Sequence, residues 1–350
     1  MSISKVLLKW YDQNKRELPW RETKNPYIIW VSEIILQQTR VNQGISYFYR
    51  FIEKYPDVNS LASDSIDHVL SLWQGLGYYS RARNMHQTAK AIMADYQGKF
   101  PEQYSELIKL KGIGEYTAAA IASFCYNEPV AVVDGNVYRF LARFYGLTEQ
   151  VDSSKGKTVF KNIANKIINL KDPGKHNQAI MEFGALVCTP KNPECALCIF
   201  KNECFAFTYN MINDLPVKKK KIKVSKRYFN YLHLLYNGKT FIEKRVENDI
   251  WQLLYQLPLI ETETQVTPEE LQNHKQWIEL FDKTSFKITY VSQIIKHQLS
   301  HQQLIARFYQ IEINKPNRFV KSKYILITHS EIYRYGIPKL IENYFKTTLH

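Results

Sequence analysis

Four of the five cysteines, Cys188, Cys195, Cys198 and Cys204, fall in one short segment, with six, two and five residues between neighbours. In a reducing compartment such a group ligates metal rather than pairing as disulfides, and its chemistry alone suits zinc or a [4Fe–4S] cluster. Cys125 stands apart in an Ala-rich stretch and reads as a small core residue. Two carboxylates could do acid–base work. Glu33 lies in Trp30-Val31-Ser32-Glu33-Ile34-Ile35-Leu36, beside Ile29, Trp30, Leu36 and Gln37 on a helix, where desolvation should raise its pKa. Asp134 opens a helix that runs through Val137 and Leu141, which suits an N-cap and also an anion held ionised by N–H donors and the helix dipole. One neutral acid and one anion are what glycosidic cleavage through an oxocarbenium-like state requires. Gly112-Ile113-Gly114 reads as a tight turn between helices, and the free N–H groups at the next helix start can bind a phosphate without reading sequence.

The elements that must position these residues follow from apolar spacing. From Ser4 to about Phe207 it is mostly three and four, as in Ile28, Ile29, Ile34, Ile35 and Val159, Ile163, Ile167, which predicts helices. From Thr208 to Arg227 the pattern breaks at Asn213-Asp214, Pro216 and the basic run Lys218–Lys221, so this stretch reads as a linker, its lysines either solvated or touching phosphate. Beyond it, strands are predicted at Tyr228–Tyr236, Thr240–Lys244, Lys287–Ile295, Leu304–Ile313 and Tyr324–Ile327, with a turn at Asn237-Gly238. Helices near Pro268–Phe281 and Glu331–Phe345 make that half α+β. A chain of 350 residues fits two domains. The expected layout is a mainly α domain at 1–207 with its cysteine loop at 188–204, a basic linker at 208–227, and an α+β domain at 228–350. Lys plus Arg exceed Asp plus Glu by 47 to 33, a formal charge of +14, which favours a polyanionic partner. No uncharged run approaches the roughly 18 residues of a membrane helix and the N-terminus has no signal-like apolar core, so a cytoplasmic protein without a membrane partner is expected.

Taken together, Gly112-Ile113-Gly114, the segment Val132-Val133-Asp134-Gly135-Asn136-Val137 and the six-two-five cysteine loop after Gly184–Cys188 resemble the helix-hairpin-helix DNA glycosylases, and specifically the MutY family of adenine DNA glycosylases. The resemblance runs strongly from about Trp10 to Phe207 and more weakly to the C-terminus. It implies one [4Fe–4S] cluster on Cys188, Cys195, Cys198 and Cys204. It also implies a monomer acting on double-stranded DNA that carries adenine opposite 8-oxoguanine or guanine, with Glu33 as general acid, Asp134 as the stabilising anion, and Tyr116 and Asn136 supporting Asp134. In the endonuclease III branch a lysine stands just after the hairpin and attacks C1′; here the residue is Tyr116, so hydrolysis without strand cleavage is expected.

By the same resemblance Arg16, Trp20, Arg21, Leu36 and Gln178 line an adenine pocket, although core packing would also explain Trp20 and Leu36. Gln38 and Tyr78 wedge into the duplex, and Gly112 and Gly114 meet its backbone. The C-terminal half resembles a MutT-like recognition domain without the Gly-x5-Glu-x7-Arg-Glu-x2-Glu-Glu box of Nudix hydrolases, so reading rather than hydrolysis is expected of it. Leu299-Ser300-His301 matches the Phe-Ser-His loop of that domain with Leu in place of Phe, which makes Ser300 and His301 candidate readers of oxidised guanine; a polar turn touching only solvent or phosphate would show the same residues.

Overall fold

The computed structural model describes residues 2–218 and 224–348. Its N-terminal part is helical throughout: α1 (Ile3–Asn14), α2 (Pro26–Leu36), α3 (Val41–Lys54), α4 (Val58–Ser63), α5 (Ile66–Leu72), α6 (Ser80–Tyr96), α7 (Tyr104–Leu107), α8 (Glu115–Tyr126), α9 (Gly135–Tyr145), α10 (Ser154–Ile167), α11 (Pro173–Leu186) and α12 (Phe205–Thr208). Starts are written locally. The Asn25 side chain caps α2 ahead of Pro26, Asp134 caps α9, and Asp172 caps α11 ahead of Pro173. Helix α2 is buried nearly all round, with Ile29, Trp30, Val31, Ile34 and Ile35 each no more than 3% exposed, so it is a central rather than a surface helix.

Two glycines let α11 approach its neighbours. A Cβ on Gly174 would lie 2.6 Å from the Ser123 carbonyl oxygen at α8, and one on Gly184 would lie 2.8 Å from the Asn136 carbonyl oxygen at α9. Between α9, α11 and the cysteine segment sits an aromatic core. Phe140 and Phe183 pack edge-to-face at 5.2 Å, as do Phe183 and Phe200.

The chain divides into two compact units, and the division does not follow the expected boundaries. The first unit comprises Met1–Ser63 with Asn84–Lys220; the second joins Asp64–Arg83, from the middle of the helical half, to Lys221–His350. The reason is local packing: Asp67 pairs with Lys244 and accepts from the Tyr255 hydroxyl, and Arg83 donates to the Gln252 carbonyl.

In the second unit β1 (Ser225–Tyr236), β2 (Lys239–Lys244), β3 (Tyr255–Gln256), β4 (Leu259–Thr262), β5 (Phe286–Val291), β6 (Ile295–Gln298), β7 (Gln302–Ile313) and β8 (Ile325–Thr328) form one mixed sheet in the order β3-β2-β1-β7-β5. Strands β1 and β7 run parallel, with Tyr228 opposite Ile305 and Leu234 opposite Ile311; β4 adds to β1, β6 to β7 and β8 to β2. Asn237 and Gly238 both have left-handed backbones, φ 49° and 72°, as the tight β1–β2 hairpin requires. Alternation along β1 fills two cores. Phe229 and Tyr231 pack with Phe345 of the helix Lys339–Thr348, while Leu232 and Leu234 face Trp277 of the helix Lys275–Phe281. The strand β3, of two residues, is too short to show a period; β4 also escapes the sequence reading, and the strand expected at 287–295 ends at Val291, with β6 a separate strand from Ile295.

The expected linker is not open where it is described. Arg143, 2% exposed, donates from Nε to the carbonyls of Ile212 and Leu215 at 3.0 and 3.1 Å and from Nη1 to the Thr189 carbonyl at 2.7 Å. Leu215 is 2% exposed, and the Val151 N–H donates to Val217. Residues 208–218 are therefore held to the first unit, and of the basic run Lys218–Lys221 all but Lys218 lies outside the described residues. Arg143→Met should leave these carbonyls without their shared donor and cost about 3 kcal/mol, since hydrogen bonds to a charged group contribute about 1.5–3 kcal/mol. A urea titration that shows a loss below ~1 kcal/mol would mean the segment is held some other way.

Candidate active site

One cavity of about 210 Å3 in the helical unit is lined by Glu33, Tyr116, Asp134 and Asn136 together with Arg16, Trp20, Arg21, Leu36 and Gln178. The four expected catalytic residues and the five expected pocket residues thus meet around one space, from α2, α8, α9, α11 and the segment between α1 and α2. Trp20 is also core, 6% exposed and edge-to-face with Phe48 at 5.2 Å, so its packing and lining roles coexist.

Glu33 is 6% exposed, and its Oε2 accepts a hydrogen bond of 2.5 Å from the Tyr116 hydroxyl. Burial pushes its carboxyl up to about 7; the Tyr116 bond pulls it back in part and the Asp134 carboxylate adds to the rise. Tyr116 itself is raised well above the ordinary phenol value, by burial first and by Glu33 next, so it keeps its proton and donates. Its partner differs from expectation. Tyr116 supports Glu33, not Asp134, because α8 faces α2 and its phenol reaches Glu33 first.

Asp134 is held from its other side. Oδ1 accepts from the N–H groups of Asn136 and Val137 at 2.9 and 2.8 Å, and Oδ2 accepts from the Asn136 amide at 2.7 Å. Its N-cap role and its place in the cavity are therefore the same geometry. The expected effect of the helix start on its pKa is outweighed: burial raises the carboxyl, while Val137, Asn136 and Arg139 oppose that rise. Arg139 fixes the Asn136 amide by donating to its Oδ1 at 2.9 Å, and reaches the carbonyls of Gly184 and Cys188 at 2.6 Å each.

Sequence reasoning missed Glu182 and Tyr11. Glu182 lies one helical turn after Gln178 on α11 and is clamped by two guanidiniums, from Arg16 at 2.6 Å and Arg21 at 2.8 Å. Burial would raise it, but the bonds from Arg16 and Arg21 together bring it down to about 2. The Tyr11 hydroxyl donates to Gln178 Oε1 at 2.6 Å. The four-residue spacing from Gln178 to Glu182 was the available signal; nothing local pointed to Tyr11.

Other candidates lie elsewhere. Gly112, φ 79°, makes the hairpin turn, where a Cβ would meet the Asn84 side chain at 2.6 Å, and Gly114 is the N-cap of α8 without a side-chain cap, leaving N–H groups exposed to a phosphate. Gln38 and Tyr78 line no part of the catalytic cavity, yet both hold left-handed backbones, φ 57° and 47°, a strain that clusters at functional positions. Tyr78 belongs to the second unit, where its hydroxyl lies 2.9 Å from Ser300 Oγ. Ser300 and His301 are exposed, and the His301 carbonyl accepts from the Ser225 N–H.

Cys188, Cys195, Cys198 and Cys204 border a second cavity of the helical unit, walled mainly by Phe140, Phe183, Phe200 and other apolar groups, with Arg143, Glu194 and Lys201 also lining it. Donors point at the sulfurs: Arg143 at Cys188 Sγ, 3.6 Å, and the Phe200 N–H at Cys198 Sγ, 3.4 Å. The donor set fits a thiolate-held group, although among the described residues no three His, Cys, Asp or Glu side chains stand close enough together to hold a metal ion. No helix among the described residues is long and apolar enough to cross a membrane.

The raised Glu33 gives a signed pH test. Its folded pKa, about 7, lies above the ordinary 4.5, so the stability it contributes is complete below about 4.5 and is lost as pH rises through about 7. The unfolding free energy of wild type relative to Glu33→Gln should therefore fall across that window in urea titrations at successive pH values. A constant difference would mean that Glu33 is already ionised in the folded protein.

Residues 31–168 match the HhH-GPD superfamily of base excision DNA repair proteins, a span that includes Asp64–Arg83, and residues 230–347 match the NUDIX domain. The chain is 37% identical over 343 residues to the adenine DNA glycosylase of Buchnera aphidicola subsp. Schizaphis graminum, covering 97% of this chain and 96% of that one. It is 40% identical over 209 residues to the adenine DNA glycosylase of Homo sapiens, covering 57% of this chain and 38% of the human one. Among solved structures, a thermostable thymine-DNA glycosylase aligns with a TM-score of 0.55 at 24% identity, covering 59% of this chain and 95% of that one. A non-covalent endonuclease III–DNA complex aligns at 0.52 and 23%, covering 59% and 94%; both show the fold of the helical part alone. With a glycosylase fold, three carboxyl groups in one cavity and a near full-length relative, the chain belongs to the MutY family of adenine DNA glycosylases, enzymes of base excision repair.

Proposed function

We propose that this adenine DNA glycosylase hydrolyses the N-glycosidic bond of adenine mispaired with 8-oxoguanine or guanine, acting as a monomer on double-stranded DNA without cutting the strand. The observation that carries the reading is Glu33, buried with a pKa near 7 in the cavity that also holds Asp134. Adenine leaves poorly as an anion, so Glu33 gives its proton to a ring nitrogen of the base as the bond to C1′ breaks and its electron pair goes to adenine. Asp134, held by three donors, faces the cation left on the sugar, and a water adds to C1′ as its proton passes to the Glu33 carboxylate. Tyr116 offers no amine for a Schiff base. Gln178 and the Arg16–Arg21–Glu182 clamp give the pocket its polar wall. Gln38 and Tyr78 act as wedges that offset the few kcal/mol of base flipping, with Gly112 and Gly114 on the strand backbone. Ser300 and His301 read the C8 oxygen and N7 hydrogen of oxidised guanine, the acceptor and donor that guanine lacks.

Single-turnover assays on duplexes with A opposite 8-oxoguanine, A opposite G, and A opposite T test this directly. Adenine release should occur on the first two, leaving an abasic site cut only after alkali and giving no borohydride-trapped complex. Glu33→Gln and Asp134→Asn should each lose at least ~10²-fold in rate, and Ser300→Ala with His301→Ala should weaken binding opposite 8-oxoguanine more than opposite G. Near-normal release by Glu33→Gln, or equal binding losses on both mispairs, would remove the corresponding assignment.

Cys188, Cys195, Cys198 and Cys204 would hold one [4Fe–4S] cluster, the reading favoured by a cavity bordered by all four sulfurs and by donors aimed at two of them. When bound, it cross-links the loop that presents Lys191 and Lys201. Anaerobically purified protein should be yellow-brown with broad absorption near ~400 nm, and Cys198→Ser should lose metal, solubility and DNA affinity together. Stoichiometric zinc without iron would overturn the cluster.

A further inference from the structure

A second polar cavity of the helical unit, about 280 Å3, is lined by Tyr104, Glu115, Tyr116, Tyr138, Lys157 and Lys161, with Ala131 and Val133 among its other lining residues. No role in the mechanism uses it. It shares Tyr116 with the catalytic cavity, and Ala131 and Val133 belong to the segment that delivers Asp134. Its other edge, Glu115, is the first residue of α8, directly after the hairpin whose N–H groups stand open to a phosphate. It therefore lies between the reacting centre and the backbone-binding turn.

The cavity's charges are few and specific. Lys161 Nζ lies 3.0 Å from Glu115 Oε2, 3.2 Å from the Tyr104 hydroxyl and 5.3 Å from that ring's centroid. Lys157, one turn earlier on α10, is exposed and has no ion pair among the described residues. Two cations against one carboxylate leave one positive charge, and the phenols of Tyr104 and Tyr138 add neutral donors. One net cation with donors beside it is the complement of a singly charged phosphodiester, and not of a carboxylate-rich or apolar ligand.

We propose that this cavity is a second strand-binding subsite, which holds one phosphodiester of the adenine-bearing strand adjoining the flipped nucleotide, with Lys157 as its main contact. The proposal rests on the mispair reading given above. Holding that phosphate next to Tyr116 fixes the strand where it leaves the catalytic cavity, so the subsite positions C1′ against Asp134 without touching the base.

The test measures equilibrium binding to duplexes with A opposite 8-oxoguanine, in which the target adenosine carries a 2′-fluoro group that blocks cleavage. Each duplex has one methylphosphonate, which removes a single negative charge, at successive positions on either side of that adenosine. Lys157→Ala should weaken binding to the unmodified duplex roughly three- to five-fold. One methylphosphonate position should cost wild type a similar factor and cost Lys157→Ala nothing further, because both changes remove the same contact. Glu115→Gln, which frees the charge of Lys161, should tighten binding and steepen the salt dependence by about one unit of log K per log salt; a merely structural role for Glu115 would not tighten it. If wild type binds the mispaired duplex tighter than a matched one but the losses from Lys157→Ala and every methylphosphonate simply add, the subsite is overturned alone. Wild type that binds mispaired and matched duplexes equally overturns the mispair reading and the subsite with it.

Discussion

The helical unit is organised around a carboxyl group that has to stay dry. Glu33 lies on a helix whose apolar residues are buried nearly all round, and it is tolerated there because its carboxyl keeps its proton up to about pH 7 and because one phenol, Tyr116, meets its oxygen at 2.5 Å. That requirement brings α8 against α2. The approach of α11 to α8 at Gly174 and to α9 at Gly184 then closes the cavity from the other side, where any Cβ would strike backbone. A looser packing would hydrate Glu33, and its proton would be lost at the pH where the acid is needed.

Three carboxyl groups in the same cavity are all pushed up by burial and are set apart by the partners that oppose it. Glu33 has one neutral donor and rises to about 7. Glu182 has two guanidiniums and falls to about 2, a permanent anion that holds Arg16 and Arg21 in the pocket wall. Asp134 has a third donor set: burial raises it, and two backbone N–H groups and one amide on its oxygens oppose that rise. The proposed acid and anion thus have different donor sets within one space.

The second unit answers to a different constraint. Its sheet buries both faces, so β1 alternates between two cores and leaves little of itself for chemistry. What it offers lies at the rim, where the Ser300 hydroxyl meets that of Tyr78. Asp64–Arg83, although it interrupts the helical half of the sequence, is drawn to this unit by the Asp67–Lys244 pair and by Arg83.

The sequence alone determined what is local in the chain. The helix start at Asp134, the turn at Asn237-Gly238 and the strand at Tyr228–Tyr236 follow from residue type and period, and they were legible because each depends on neighbours a few positions away. The cysteine spacing was legible for the same reason, whereas the roles proposed for Glu33, Asp134 and Tyr116 came from the family resemblance. Tertiary structure alone decided the partners. Tyr116 turns to Glu33 rather than Asp134, Tyr11 reaches Gln178 across 167 positions, and Glu182 collects two arginines from more than 160 positions away. It also decided that the described part of the expected linker is held by Arg143, and that burial outweighs the helix start at Asp134. Hydrogen bonds and desolvation depend on distance in space, and a sequence sets that distance only through the packing of every helix between.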